Sequence, residues 1–452
     1  MGELFGTDGV RGIANADLSL ELAMRMGQAG AFALASEVHS PRILIGTDTR
    51  KSADMLFGAL SAGICSIGGD VVYLGVVPTP ALAYLVRLYE ADAAVMISAS
   101  HNLMEYNGFK WFDKSGYKLS DSLEAQIEAL IRDGCPKPRP TGGLVGRVTR
   151  AKRAALDYTD FLLKAADCSL LGMRLVLDCA NGAASDIAKE VFIKLGATVF
   201  SFSDEPDGYN INDQCGSTHP ERLRQLVSET CADIGFAFDG DADRLIAVDE
   251  RGRIVDGDRI IGILALDYKK RGLLKDDTLV ITVMSNLGLK LKLNEAGIKT
   301  EETAVGDRYV LERILEKGYS FGGEQSGHII FANEHTTGDG MLSAIKLLNV
   351  ITHSGRRFSE LADEIPICPQ VLVNVIVDEQ AKDAALNDKD LKEAASGAEA
   401  ALGKSGRVLI RKSGTEPLIR IMLEGMDEND LRARAGALAH ILITNHNGRL
   451  KG

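Results

Sequence analysis

The chain has 452 residues, enough for about three domains at roughly 150 residues each, which excludes a single small fold. Hydrophobic residues at 45% and charged residues at 25%, with 11 prolines, are globular values and exclude a disordered or collagenous chain. The 63 acids exceed the 51 bases and leave a formal charge of -12, the wrong sign for coating nucleic acid or an anionic membrane, so an anionic substrate must be held by local Arg and Lys.

The opening FGTDGVRG reads as a basic loop around Arg11. RILIGTDTR (42–50) reads as a buried strand entering a polar loop, KSADMLFGALSAGICSIGG as an amphipathic helix, and DVVYLGVV as the next strand. The longest apolar region, VVYLGVVPTPALAYLV, is broken by Pro78 and Pro80 and is shorter than the roughly 20 residues a bilayer requires. AAVMISASHN (93–102) is a further strand ending in a polar loop. The pattern recurs in RLVLDCANG (174–182) and TLVITVMSN (278–286), each followed later by a loop of unusual chemistry, IGFAFDGDADR (234–244) and FGGEQSGH (321–328). These repeats predict three similar α/β domains with mixed, largely parallel sheets. CPKPRPTGG (135–143) and EIPICPQ (364–370) suit boundaries, and RVLIRKSG, LIRIMLEG and ENDLRARAGALAHILI predict a smaller C-terminal α+β domain built from a tight hairpin and a helix. The expected divisions are 1–150, 151–250, 251–365 and 366–452. The seven cysteines are scattered and include no CxxC pair, which suits a reducing cytoplasm.

FDGDADR sets Asp239, Asp241 and Asp243 two apart after a strand. Three carboxylates so close repel unless something positive sits among them, and a set of oxygen donors without His or Cys suits Mg²⁺. MISASHN sets Ser98, Ser100, His101 and Asn102 at a strand end, where a hydroxyl can carry a phosphoryl group or simply cap a turn. RKSGTEPLIR gathers Arg411, Lys412, Ser413, Gly414 and Thr415 in one turn with Arg420 on the next strand, a composition for an anion or for a solvated hairpin. GGEQSGH offers Glu324 and Ser326 to sugar hydroxyls and His328 for proton transfer, or is a glycine-rich connection with a structural His. Gly306, Asp307 and Arg308 add a third candidate phosphate or sugar contact.

Together FGTDGVRG, ISASHN, DGDADR, GGEQSGH and RKSGTEPLIR, in that order and spanning the chain, resemble the α-D-phosphohexomutases. PDGYNINDQCGSTHPE and VGDRYV favour the glucosamine branch over the phosphomannomutase/phosphoglucomutase branch. The resemblance implies four domains around a central cleft, with Ser100 as a phosphoserine and Asp239, Asp241 and Asp243 holding Mg²⁺ with an oxygen of that phosphate. It further implies Arg11 and Arg244 near the transferring phosphate, with Lys110, His328 and His101 among the catalytic candidates. Glu324 and Ser326 would read sugar hydroxyls, and Arg411, Ser413, Gly414, Thr415 and Arg420 would bind the phosphate that is not reacting. The implied reaction interconverts glucosamine 6-phosphate and glucosamine 1-phosphate through a hexosamine 1,6-bisphosphate, feeding UDP-N-acetylglucosamine and cell-wall precursors. The partner is then a small sugar phosphate, with no nucleic acid or membrane, and a homodimer is compatible with it. The family's usual proline after SASHN is Leu103 here, which loosens the loop carrying Ser100. The rivals are a mutase acting mainly on glucose or mannose phosphates, a metal-dependent phosphatase with Asp239 as nucleophile, and a non-catalytic sugar-phosphate sensor.

Overall fold

Ala93–Ile97, Ile234–Phe238 and Thr278–Thr282 are buried at every position. An unbroken apolar run of this kind makes a strand covered on both faces, and each of the three is an inner strand of its own mixed sheet. The computed structural model describes residues 4–6, 8–34, 40–135, 139–413 and 417–451. The chain packs as two units, Met1–Met284 with Ala296–Glu364, and Ser285–Glu295 with Ile365–Gly452.

The larger unit contains three sheets with a shared plan. In the first, Arg42–Thr47 lies parallel to Asp70–Val76 on one side and to Ala93–Ile97 on the other, and Tyr106–Asp113 runs antiparallel beyond Ala93–Ile97. In the second, Arg174–Asp178 lies parallel to Thr198–Phe202 and Ile234–Phe238, with Leu245–Asp249 antiparallel beyond. In the third, Thr278–Thr282 lies parallel to Lys299–Thr303 and Phe321–Gly323, with Ile329–Phe331 antiparallel beyond. The expected trio of similar α/β modules is therefore present, and its repeat lies in strand order. Because the fourth strand of each module runs back beside the third, the connection between them is short. These connections are 98–105, 239–244 and 324–328, the three loops whose sequences are chemically unusual.

The first sheet has two further strands, Val10–Ile13 and Val148–Arg150. Arg11 therefore stands on an edge strand paired with Tyr106–Asp113, where the sequence suggests a loop, because Val10 is buried and Arg11 registers opposite Gly108. Val148–Arg150 joins the same sheet after the Pro/Gly-rich segment, of which residues 136–138 lie outside the described part. GGEQSGH, read as an irregular connection, begins in one strand of a hairpin and ends just before the other.

The smaller unit has a different plan, an antiparallel sheet in the order Arg407–Lys412, Leu418–Glu424, Gln370–Ile376 and Arg449–Leu450. Val371, Val375, Ile419, Ile421 and Leu423 from this sheet pack with Leu431, Leu438 and Leu442 of the helix Glu428–His446. That is the α+β character expected of the tail.

Candidate active site

Ser100 lies near the start of the first of the three loops, and its hydroxyl donates a 2.6 Å hydrogen bond to Asp239 Oδ2 of the second. Both residues are buried, so the contact joins two modules inside the protein. Gly240 makes the approach feasible. A Cβ there would lie 2.6 Å from the Ser100 carbonyl oxygen and 2.8 Å from Asn212 Nδ2, closer than any side-chain carbon is tolerated. The glycine of FDGDADR is thus a space requirement, and the three acids around it are forced together.

Asp239, Asp241 and Asp243 are all buried, and their ligand oxygens lie within 4.8 Å of one another. At an effective dielectric of about 20, each carboxylate pair at such a distance is unfavourable by roughly 3–4 kcal/mol. Burial, then the charges of Asp243 and Asp241, hold the Asp239 carboxyl well above the usual carboxylate range. Lys110 Nζ provides part of the compensation, donating to Asp241 Oδ2 at 2.7 Å and to Asp243 Oδ2 at 3.3 Å. Although burial opposes the charge on Lys110, Asp241, Asp8 and Asp243 keep its ammonium above its ordinary value. Thr79 also donates to Asp241 Oδ2, at 2.5 Å. Asp241 Oδ1 and Asp243 Oδ1 remain buried without a hydrogen-bond partner. An all-oxygen cluster with unsatisfied carboxylate oxygens fits a small hard dication such as Mg²⁺.

The third loop adds His328 and Glu324. His328 Nδ1 lies 3.7 Å from Asp243 Oδ2 and Nε2 lies 3.6 Å from Asp307 Oδ2. Burial disfavours a charged ring, but Asp243, Asp307 and Glu324 push its pKa up to about 9. The Gly338 amide works against full protonation, because its N–H donates to Nε2 at 3.0 Å and so favours the tautomer with its proton on Nδ1, facing Asp243. Glu324 Oε1 accepts the Gly306 N–H at 3.0 Å, while Ser326 Oγ is buried without a partner. His101 Nδ1 lies 3.5 Å from Ser100 Oγ, and burial followed by the charges of Arg244 and Arg11 lowers its pKa to about 4, leaving a neutral ring beside the hydroxyl. Arg244 donates its backbone N–H to Asp239 Oδ1 at 3.2 Å, and Nε of both Arg11 and Arg244 is buried without a hydrogen bond. Arg11 also pairs with Asp8.

The structure therefore gathers Ser100, His101, Lys110, Asp239, Asp241, Asp243, Arg244 and His328 around the acidic cluster. Arg308 is committed elsewhere, to Asp121, to Glu312 at 3.0 Å and to Glu124 at 3.8 Å. In the smaller unit, Arg411 and Arg420 face each other across paired strands. Burial and the charge of Arg420 lower the Arg411 pKa. Ser413 donates its N–H to Leu418 O at 2.9 Å and its carbonyl accepts Lys382 Nζ at 3.2 Å. Gly414 and Thr415 lie outside the described residues.

Several site residues escape sequence reasoning. Lys118 Nζ bridges Asp8 Oδ1 at 2.5 Å and Asp307 Oδ2 at 2.6 Å. With Lys110 to Asp8 at 3.3 Å, this closes a ring of alternating acidic and basic side chains through Asp8, Lys118, Asp307, His328, Asp243 and Lys110. No motif signals Lys118. Asp48, Arg50 and Asn212 are also missed, although GTDTR and YNINDQ contain them.

Four family models cover the chain in order. They describe the α/β/α domains I, II and III of phosphoglucomutase/phosphomannomutase at residues 2–135, 157–252 and 256–367, and the C-terminal domain at 372–441. A phosphoglucosamine mutase of Caldanaerobacter subterraneus subsp. tengcongensis is 53% identical over 98% of this chain and 99% of its own length. One from Clostridium acetobutylicum is 52% identical over the same shares. Among solved structures, a phosphoglucomutase/phosphomannomutase family protein of Burkholderia thailandensis superimposes with a TM-score of 0.82 at 24% identity, covering 98% of both chains. An Aspergillus fumigatus N-acetylphosphoglucosamine mutase in complex with GlcNAc-6P and magnesium gives 0.71 at 18%, covering 97% of this chain and 95% of that one; these two share the fold.

Gly240→Ala should lower turnover by about two orders of magnitude without unfolding the protein, because it separates the two loops. Steady-state kinetics beside a thermal melt checks this, and wild-type turnover would contradict it. Leu103 is about half exposed, and among the described residues its amide makes no hydrogen bond, so Leu103→Pro should change the rate and leave the product unchanged. A different product would show that this loop has another role.

Proposed function

Because the chain belongs to the phosphoglucomutase/phosphomannomutase family, we propose that it interconverts glucosamine 6-phosphate and glucosamine 1-phosphate, with Ser100 as the phosphoryl carrier. It is an enzyme of the phosphohexomutase type, an intramolecular phosphotransferase of the isomerase class. The observation that carries the reading is the Ser100 hydroxyl at 2.6 Å from Asp239, within an acidic cluster that calls for a cation.

Asp239, Asp241 and Asp243 would hold Mg²⁺, which when bound supplies positive charge beside a phosphoryl group. Phosphorylated Ser100 gives its phosphoryl group to the free hydroxyl of the sugar phosphate. The bond from phosphorus to Ser100 Oγ breaks and a bond to the sugar oxygen forms; the sugar hydroxyl proton passes to His328, and the departing Ser100 Oγ takes up a proton from a site in which Lys110 stands as an ammonium and so serves on the acid side. Arg11 and Arg244 spread the charge of the transferring group. The resulting hexosamine 1,6-bisphosphate turns around, and its other phosphate returns to Ser100. Glu324 and Ser326 read the sugar hydroxyls during both halves of the cycle. The Arg411 and Arg420 pair, with Ser413, takes a phosphate on the smaller unit.

Hydrogen bonding favours Ser100 over Asp239 as the nucleophile. Asp239 already accepts the Ser100 hydroxyl on one carboxylate oxygen and the Arg244 amide on the other, so both its oxygens are engaged. The preference for glucosamine rests on the relatives, which are phosphoglucosamine mutases matched over nearly their full length. We expect the enzyme in the cytoplasm, where its seven free cysteines stay reduced. Among the described residues, no helix is long and apolar enough to cross a membrane.

Turnover of glucosamine 6-phosphate should exceed that of glucose and mannose 6-phosphates in parallel assays; a dominant rate on a neutral sugar would move the assignment to the other branch. Asp243→Asn should raise the Mg²⁺ concentration needed for half-maximal activity by roughly tenfold or more, and chelator should silence the wild type. Full activity in chelator would remove the metal from the account.

A further inference from the structure

Ser100 has φ +52°, a left-handed conformation that few residues other than glycine adopt, so neighbouring groups must hold it there. We infer that Arg50 and Asn212 form a two-sided clamp on the backbone of this loop, and that the clamp sets the rate of phosphoryl transfer by aiming Ser100 Oγ at Asp239. The inference rests on the proposed role of Ser100.

Arg50 follows the first strand of the first module and is 2% exposed. Its guanidinium donates to three carbonyls of the loop, Ser100 at 3.0 Å, Asn102 at 2.7 Å and Leu103, and to that of Tyr106, the first residue of the following strand, at 3.0 Å. Asp48 orients it, accepting Arg50 Nε at 2.9 Å on Oδ2 and the Arg50 amide at 3.0 Å on Oδ1. Asp48 Oδ2 also accepts the Ser98 hydroxyl at 2.6 Å, and Ser98 Oγ accepts the Ser100 N–H at 3.0 Å. Both ends of the Ser100 peptide are thereby fixed from within the module.

Asn212 grips from the second module. Its Nδ2 donates to the Ser100 carbonyl at 2.8 Å and to the Asn102 carbonyl at 2.9 Å, and its own amide donates to Ala180 O at 2.9 Å. Asp178 accepts the Ala180 amide at 3.0 Å and so steadies that support. Because Asn212 shares a module with the acidic loop, the clamp ties the carrier hydroxyl to the frame that holds the three aspartates. A planar guanidinium fork can reach four carbonyls together, whereas a lysine ammonium offers one point. Neither Arg50 nor Asn212 is placed at the reacting atoms, so both are positioning residues.

The test uses full-length protein, glucosamine 6-phosphate and a product assay, with Ser100→Ala run alongside. Asn212→Ala should lower kcat roughly 10- to 100-fold while KM stays within about threefold, because aim is lost and substrate contacts are kept. Its melting temperature should stay close to that of the wild type, since Arg50 still holds the same carbonyls. Arg50→Lys should show the same split with a larger loss of kcat. If Arg50→Lys does not fold, Asn212→Ala decides alone. An unchanged kcat per folded molecule in Asn212→Ala, with Ser100→Ala inactive, would overturn the clamp and spare the carrier. Full turnover in Ser100→Ala would instead overturn the carrier.

Discussion

Three carboxylates buried together form the constraint on which the site depends. Asp239, Asp241 and Asp243 repel one another, and a folded state that confines them needs compensating charge. Lys110 contributes one ammonium from the first module, Arg244 lies next in sequence, and a dication would supply the rest. The same arrangement that makes the cluster unfavourable alone makes it attractive to a metal and to the phosphoryl group that such a metal stabilises. Ser100, hydrogen-bonded to Asp239, sits where that group would be delivered.

The repeated topology explains how one chain collects these parts. In each module the third strand leads by a short loop into an antiparallel fourth, and each of those loops carries a different chemistry: a hydroxyl at Ser100, carboxylates at 239–243, and Glu324 with His328. Equivalent positions in three similar folds would thus serve as carrier, metal site and sugar reader in the proposed cycle. Backbone bonds stitch the loops together. Thr79 N–H donates to Asp241 O at 3.0 Å, Leu245 N–H to Gly327 O at 3.1 Å, and Gly340 N–H to Ala242 O at 3.0 Å. These bonds leave the acidic loop little freedom to relax away from its neighbours.

Much of this was legible in the sequence because motifs and buried strands leave local signatures. AAVMI, IGFAF and TLVIT are continuous apolar runs, and the polar loops after the first two announce themselves by composition. The repeat itself was visible only as a rhythm, since modules that share strand order need not share side chains. What composition does not reveal is which distant residues meet. Lys118 has no motif, yet it joins Asp8, 110 positions before it, to Asp307, 189 positions after it. Arg50 reads as one polar residue after a strand, and only the folded loop shows that it binds four carbonyls. Arg11 and Arg308 show the reverse. Their charge is plain in the sequence, whereas the edge strand of Arg11 and the acidic partners of Arg308 emerge only with the fold.

The central claim is that one serine hydroxyl lends a phosphoryl group to the sugar and takes another back. The most direct measurement starts from enzyme carrying radiolabelled phosphate on Ser100, mixed with unlabelled glucosamine 6-phosphate and quenched within one turnover. The account predicts label on the sugar, first in the bisphosphate and then in the monophosphates, with unlabelled phosphate replacing it on Ser100. Label that stays on the protein while product accumulates would contradict it.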